Sequence, residues 1–349
     1  MTGAVLVARL DNAGDVLLAG PAVRAAAATG RRVHLLCGPR GRAAADLLPG
    51  VDDVIEWHAP WIEPEPMAVD RADADGLVAR VRAAGVEAAA VLGSSHQSPL
   101  PLALLLRWAG VARIAAVSHD HAGSLLDVRI TGDPELHEVQ RGLLVTEALG
   151  FPAPVDDRLA VDLAGVRPPA DVAAALDAGG PYVVVHPGSS VPARSLAPAQ
   201  WTAVARAVST TGRSVVVTGS REEKRLTEAV RGEQDDVIDL GGRLTLPQLG
   251  TVLADADAVV CGNTGPMHLA AAVGTPVVTA FPPTVPLDRW RPWRVAHVVL
   301  GDQHVTCAGC RSGTCPLEEQ VCLADVSGAD VVAALERLAP VAAAAEAAR

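Results

Sequence analysis

Val5-Leu6-Val7-Ala8-Arg9-Leu10-Asp11-Asn12-Ala13-Gly14-Asp15-Val16-Leu17-Leu18 begins as an apolar run of strand length, passes through a polar loop with one glycine, and enters a second apolar run. A strand that empties through a short loop into a helix is the first half of a βαβ unit, whose strands pair in parallel and are buried on both faces. The stretch predicts a strand over Ala4–Leu10 and a helix over Asp15–Thr29. The same alternation repeats outward from it. Strands are expected at Val33–Cys37, Val51–Trp57, Ala88–Leu92 and Arg113–Val117, with Ala- and Leu-rich helices at Asp70–Ala84 and Pro99–Ala109. Such a succession builds a doubly wound sheet covered by helices.

The pattern weakens over Phe151–Pro181, where Pro152, Pro154, Pro168, Pro169, Gly179, Gly180 and Pro181 read as a linker. It then restarts, with strands at Tyr182–His186, Ser214–Thr218, Val237–Leu240, Ala258–Cys261 and Val277–Ala280. Helices are expected near Pro198–Thr211, Glu222–Val230, Leu246–Ala254 and Thr264–Val273. The organisation predicted is an α/β chain of two Rossmann-like domains, 1–165 and 176–326, followed by a C-terminal helix within 327–349 that packs back on the body. Doubly wound sheets bind ligands beyond the carboxyl ends of their strands, so two such domains would present their loops across a cleft.

Composition narrows the function. The chain has 349 residues, 50% of them apolar and 20% charged, enough for two buried cores. Its formal net charge of -11 repels phosphates on average, which argues against a nucleic-acid groove or an anionic membrane surface. No stretch reaches the roughly 20 apolar residues needed to span a bilayer, so membrane contact is expected to be peripheral at most. No charged segment followed by an apolar one precedes the first strand, and a cytoplasmic protein is expected.

Asp15 falls near the start of a helix, where a carboxylate ordinarily caps free N–H groups for about 0.5–2 kcal/mol. A carboxylate held there can also take a proton from a hydroxyl that would otherwise be a poor nucleophile. Gly14 is the loop's lone glycine, so a dinucleotide-binding fingerprint is absent. In the second domain, Pro187-Gly188-Ser189-Ser190-Val191-Pro192-Ala193-Arg194 follows a strand. Small residues there let backbone N–H groups approach an anion, and Arg194 can clamp a diphosphate. Ser214–Lys224 is a strand, a Gly219 turn and an acidic helix start carrying Glu222 and Glu223. Cys261-Gly262-Asn263-Thr264-Gly265-Pro266-Met267-His268-Leu269 is a strand end and glycine turn opening a helix, a seat for phosphate.

These segments together resemble glycosyltransferase family 9, the heptosyltransferases. The first stretch is similar to the family's strand, basic residue, small polar loop and Gly-Asp. The second-domain blocks are similar to its His-Pro-Gly-Ser segment and its (Asp/Asn)-Thr-Gly-Pro-Met-His-Leu block. Leu136–Leu144 is similar to a family helix and reads as structural. The resemblance implies a GT-B-like fold with Asp15 as catalytic base and Asp11 and Asn12 on the acceptor. It implies donor contacts from Gly14, Ser189, Arg194, Asn263, Thr264, Gly265, Pro266, Met267 and His268. One of Glu222 and Glu223 would bind the donor's ribose or base, and the sequence does not choose between them. The activity implied is inverting, metal-independent transfer of a sugar from an ADP-heptose-like donor to a glycan or small-molecule acceptor. A nucleotide-sugar 2-epimerase and a non-catalytic nucleotide-sugar or metal-binding protein are the alternatives.

Cys307, Cys310, Cys315 and Cys322 form C-x2-C-x4-C-x6-C. Clustered thiols in a reducing compartment leave free or partly oxidised cysteines, a structural metal (zinc, or secondarily an iron–sulfur cluster) and a redox function as the open readings. Cys37 and Cys261 lie in expected strands and read as packing thiols.

Overall fold

The computed structural model describes residues 3–94, 96–131 and 135–339. The chain divides into two units, Met1–Asp162 and Leu163–Arg349.

The first unit is built on six parallel strands, β1 (Ala4–Arg9), β2 (Val33–Cys37), β3 (Asp53–Glu56), β4 (Val86–Val91), β5 (Arg113–Val117) and β6 (Val128–Ile130). Their order is β3-β2-β1-β4-β5-β6. Val7 of β1 stands opposite Leu35 on one side and Ala90 on the other. Flanked on both edges and covered on both faces, β1 is buried at every position, which is why it reads as a continuous apolar run. The chain winds outward through β2 and β3, then returns across β1 to lay down β4. That reversal opens a crevice beyond the ends of β1 and β4.

The second unit repeats the plan with β7 (Tyr182–His186), β8 (Ser214–Val217), β9 (Val237–Asp239), β10 (Ala258–Gly262), β11 (Val277–Ala280) and β12 (His297–Leu300). The order is β12-β11-β10-β7-β8-β9, so the reversal falls between β7 and β10. Helix Pro198–Ser209 turns Trp201, Val204, Ala205 and Val208 onto this sheet, the spacing of an amphipathic face. Burial of each of its large apolar side chains contributes about 1.5–3 kcal/mol. Helix Gly328–Leu338 adds Val331, Ala334 and Leu335 to the same core. It sits so close that a Cβ on Gly328 would lie 2.6 Å from the Ala207 side chain. The C-terminal helix thus belongs to the second unit; the part expected over 340–349 lies outside the described residues.

The structure differs from the sequence reading at three points. The helix expected over Asp15–Thr29 is two helices, Ala13–Leu18 and Gly20–Ala27, with Pro21 in the first turn of the second, where its missing N–H costs nothing. The expected linker carries helix Ala170–Gly179, whose Val172 and Leu176 are buried, so Pro168 and Pro169 introduce a helix and the second unit starts before residue 176. Strands β6 and β12, partly exposed at one edge of each sheet, add a sixth strand to each that the sequence reading did not expect. Cys37 and Cys261 pack in their strands, where burial pushes the Cys37 thiol up to about 12 and raises the Cys261 thiol as well.

Candidate functional site

Several of the residues that the sequence singled out lie at the two reversal points. In the first unit, Arg9 is the last residue of β1 and is almost fully buried, so its guanidinium must find partners inside the protein. Three carboxylates supply them: Nε lies 2.9 Å from Asp11 Oδ2, Nη2 lies 2.9 Å from Asp15 Oδ1, and Nη1 lies 3.1 Å from Glu138 Oε2. Nη2 also donates to Ser94 Oγ at 3.0 Å, tying the loop after β1 to the loop after β4. Burial opposes the charge on Arg9, and Asp11, Asp15 and Glu138 more than offset it, so the guanidinium is held above its ordinary range.

Asp15 is the third residue of helix Ala13–Leu18, and its Oδ2 accepts a hydrogen bond from the backbone N–H of Asn12 at 3.3 Å. One carboxylate oxygen therefore faces the helix start and the other faces Arg9. Asp11 is more deeply buried; its carboxylate takes the Gln97 amide as well as Arg9, and burial pushes its carboxyl up, with Arg9 opposing and Asp15 adding to the rise. Of the two residues expected on the acceptor, Asn12 is exposed, with its side-chain oxygen accepting from Arg40, whereas Asp11 is walled in. Gly14 is buried in the first helical turn. A cavity of 10 Å³, room for about one water, opens beside Asp15 and is also lined by Arg9, Glu138 and Arg141.

In the second unit, β7 ends at the buried His186, whose Nδ1 lies 3.0 Å from Thr218 Oγ1. Burial holds its imidazole below the ordinary range, and Glu223, with Oε2 at 3.9 Å from Nε2, pulls the other way. The Glu223 carboxylate also accepts from the Ser220 N–H at 2.8 Å and fills the space over Gly188, where a Cβ would meet it at 2.2 Å. Glu222 points to solvent. The geometry brings Glu223, and not Glu222, to the loops after β7 and β8.

Ser189 closes its own loop, donating to Val191 O at 3.0 Å and accepting from Val191 N–H at 3.2 Å. Ser195 donates to Pro187 O at 2.7 Å and accepts from Trp201 Nε1 at 2.8 Å, which anchors the half-buried Arg194 between them. Gly262, the last residue of β10, approaches Arg194 so closely that a Cβ would stand 2.5 Å from the Arg194 carbonyl oxygen. Asn263 is buried with its side-chain nitrogen lacking a hydrogen-bond partner among the described residues. Thr264 is the extended N-cap of helix Gly265–Val273, and Thr264, Gly265 and Pro266 are partly exposed at its start. Met267 does not join them. It is fully buried and its N–H donates to Thr264 O at 3.1 Å, so its side chain belongs to the core. His268 is likewise buried.

The sequence reading overlooked Arg9 as an organiser, and Ser94, Gln97, Glu138, Arg141, His186 and Thr218 with it. A charge closing an otherwise apolar strand was the available signal, because such a charge demands buried partners. The four cysteines of the C-terminal loop differ in exposure. Cys307 and Cys310 are exposed, Cys315 is partly exposed and Cys322 is buried. Among the described residues no three His, Cys, Asp or Glu side chains are grouped to hold a metal ion. No helix among the described residues is long and apolar enough to cross a membrane.

Residues 91–321 match the model of "Glycosyltransferase family 9 (heptosyltransferase)". Lipopolysaccharide heptosyltransferase 3 of Escherichia coli is 29% identical over 170 residues, 46% of this chain and 47% of that protein. Lipopolysaccharide heptosyltransferase 1 of Pseudomonas aeruginosa is 31% identical over 240 residues, 66% of this chain and 65% of that protein. The chain thus spans about half to two thirds of the length of these relatives. The structure of E. coli ADP-heptose lps heptosyltransferase II superposes with a TM-score of 0.74 at 18% identity, covering 96% of this chain and 98% of that one, and shares the GT-B fold.

Proposed function

We propose a glycosyl transfer for this chain, which belongs to glycosyltransferase family 9. The donor is a nucleotide-diphosphate sugar of the ADP-heptose class, held by the second unit. The acceptor is a hydroxyl of a glycan or small molecule, held by the first. The observation that carries the reading is Asp15: a carboxylate at the reversal point of a doubly wound sheet, fixed on one oxygen by Arg9 and on the other by the Asn12 N–H.

The step balances as a direct displacement. The acceptor oxygen bonds to the anomeric carbon as its proton passes to Asp15, the anomeric C–O bond breaks, and its electron pair leaves with the diphosphate. Attack opposite the leaving group inverts the anomeric centre. Charge growing on the diphosphate is met by Arg194 and by the start of helix Gly265–Val273, and this scheme asks for no metal. Glu223 is placed to accept hydrogen bonds from the nucleoside, and Asn263 offers a donor rather than a charge. Free cysteines fit a reducing cytoplasm.

The test is mass spectrometry of the purified protein with a panel of nucleotide sugars, each with and without acceptor glycans. Release of nucleoside diphosphate that depends on acceptor is expected. Acceptor-free conversion of the donor sugar would favour an epimerase instead, and retention of anomeric configuration would remove the displacement scheme.

A further inference from the structure

Glu138 lies 129 positions from Arg9 in the chain, on a helix with no other part in the chemistry, yet it takes one of the three anionic positions around the guanidinium. Glu138, Arg141 and Arg9 are all at least nine-tenths buried. Arg141 stands one helical turn beyond Glu138, with Nε 3.4 Å from Glu138 Oε1. A chain of alternating charge therefore runs from Arg141 through Glu138 and Arg9 to Asp15. All four line the same cavity.

The helix that carries Glu138 is fixed at its start. His137 is buried, its Nδ1 accepts from the Val139 N–H at 3.2 Å, and its own N–H donates to Gln140 at 3.1 Å. At Gly142 the next turn packs beside Leu92 and Ala22, where a Cβ would make ordinary contacts at 3.5 and 3.6 Å. A bare ion pair between Arg9 and Asp15 would hold the carboxylate in place but would also make it reluctant to accept a proton, since the pair favours the charged form. Sharing the guanidinium with a second buried carboxylate weakens that hold without releasing the geometry.

We propose that Glu138 is a positioning residue for Asp15, acting through Arg9, and that Arg141 sets how strongly it acts. The proposal rests on the reading of Asp15 as base. Among the described residues, the charged and titratable groups facing this point include Arg9 and Asp11 at the end of β1, Arg40 on Asn12, His96 beside Asp11, and Glu138 and Arg141 on helix Glu138–Ala148. Removing the Glu138 charge leaves Arg9 less compensated, so Asp15 should hold its proton less well. Removing the Arg141 charge strengthens Glu138 and should do the reverse.

The experiment is a 13C NMR titration of the Asp15 carboxyl in the full chain, its resonance identified by its loss in Asp15→Asn. Glu138→Gln is expected to move the midpoint down by about one pH unit, and Arg141→Met to move it up. Glu138→Asp, which keeps the charge, should leave the midpoint near wild type, and Glu138→Ala, which also removes the charge, serves if Glu138→Gln fails to fold. Opposite shifts support the proposal. Unchanged midpoints, or shifts in one common direction, would overturn it. The reading of Asp15 as base is judged separately: an Asp15→Asn protein with wild-type turnover would remove that reading whatever the titration gives.

Discussion

The two reversal points share a topology and differ in their chemistry. In the first unit the strand that begins the sheet ends in Arg9, and the loop behind it is organised by buried charge: one guanidinium, three carboxylates and Arg141 beyond. In the second unit the equivalent strand ends in His186, which burial keeps toward neutrality, and the loop is organised by hydroxyls, glycines and a helix start. A site that must supply a proton acceptor needs a carboxylate whose charge is balanced from behind. A site that must receive a diphosphate needs room and N–H groups, and carries few fixed anions. The shared fold supplies the place, and the last residue of the first strand sets what the place can do.

The contrast can be broken most severely at Arg194. Arg194→Ala should lower turnover about 10²–10³-fold, because a cation is lost where leaving-group charge develops; steady-state kinetics at saturating donor would check it. A smaller effect is expected from Gly262→Ala, whose Cβ would collide with the Arg194 carbonyl oxygen at 2.5 Å. Overpacking of this kind costs about 1–3 kcal/mol, readable in a denaturant unfolding curve, and no change would mean that the loop yields freely. Glu223→Gln should weaken ADP binding about tenfold, or about 1.4 kcal/mol, in calorimetry, whereas Glu222→Gln leaves it unchanged. Equal effects at both positions would blur the distinction drawn from the geometry. The smallest change is expected in the cysteine loop. The double variant Cys307→Ser/Cys310→Ser should unfold within about 0.5 kcal/mol of wild type, as exposed substitutions do. A larger loss, with zinc or iron near one equivalent in anaerobically purified protein, would support the metal reading.

Much of this contrast was legible along the chain because it is local. Strand, loop and helix are consecutive at Val5–Leu18 and again at Cys261–Leu269, so both crevices and the carboxylate in one of them could be read directly. What could not be read is distant or directional. Glu138 meets Arg9 only because β4 returns beside β1, and no spacing in the sequence announces it. Glu222 and Glu223 are neighbours with the same side chain, separated only by which of them turns back over Gly188. Met267 lies within the most specific segment and still faces the core, since a resemblance names a residue without saying which way its side chain points. The edge strands β6 and β12 were also missed, although the edge strands β3 and β9 were found.

The central claim is that the first unit supplies the base and the second holds the donor, and Asp15→Asn separates those duties most directly. The variant should bind ADP with wild-type affinity while acceptor-dependent release of nucleoside diphosphate falls about 10²–10⁴-fold. Wild-type turnover with ADP binding intact would contradict the account.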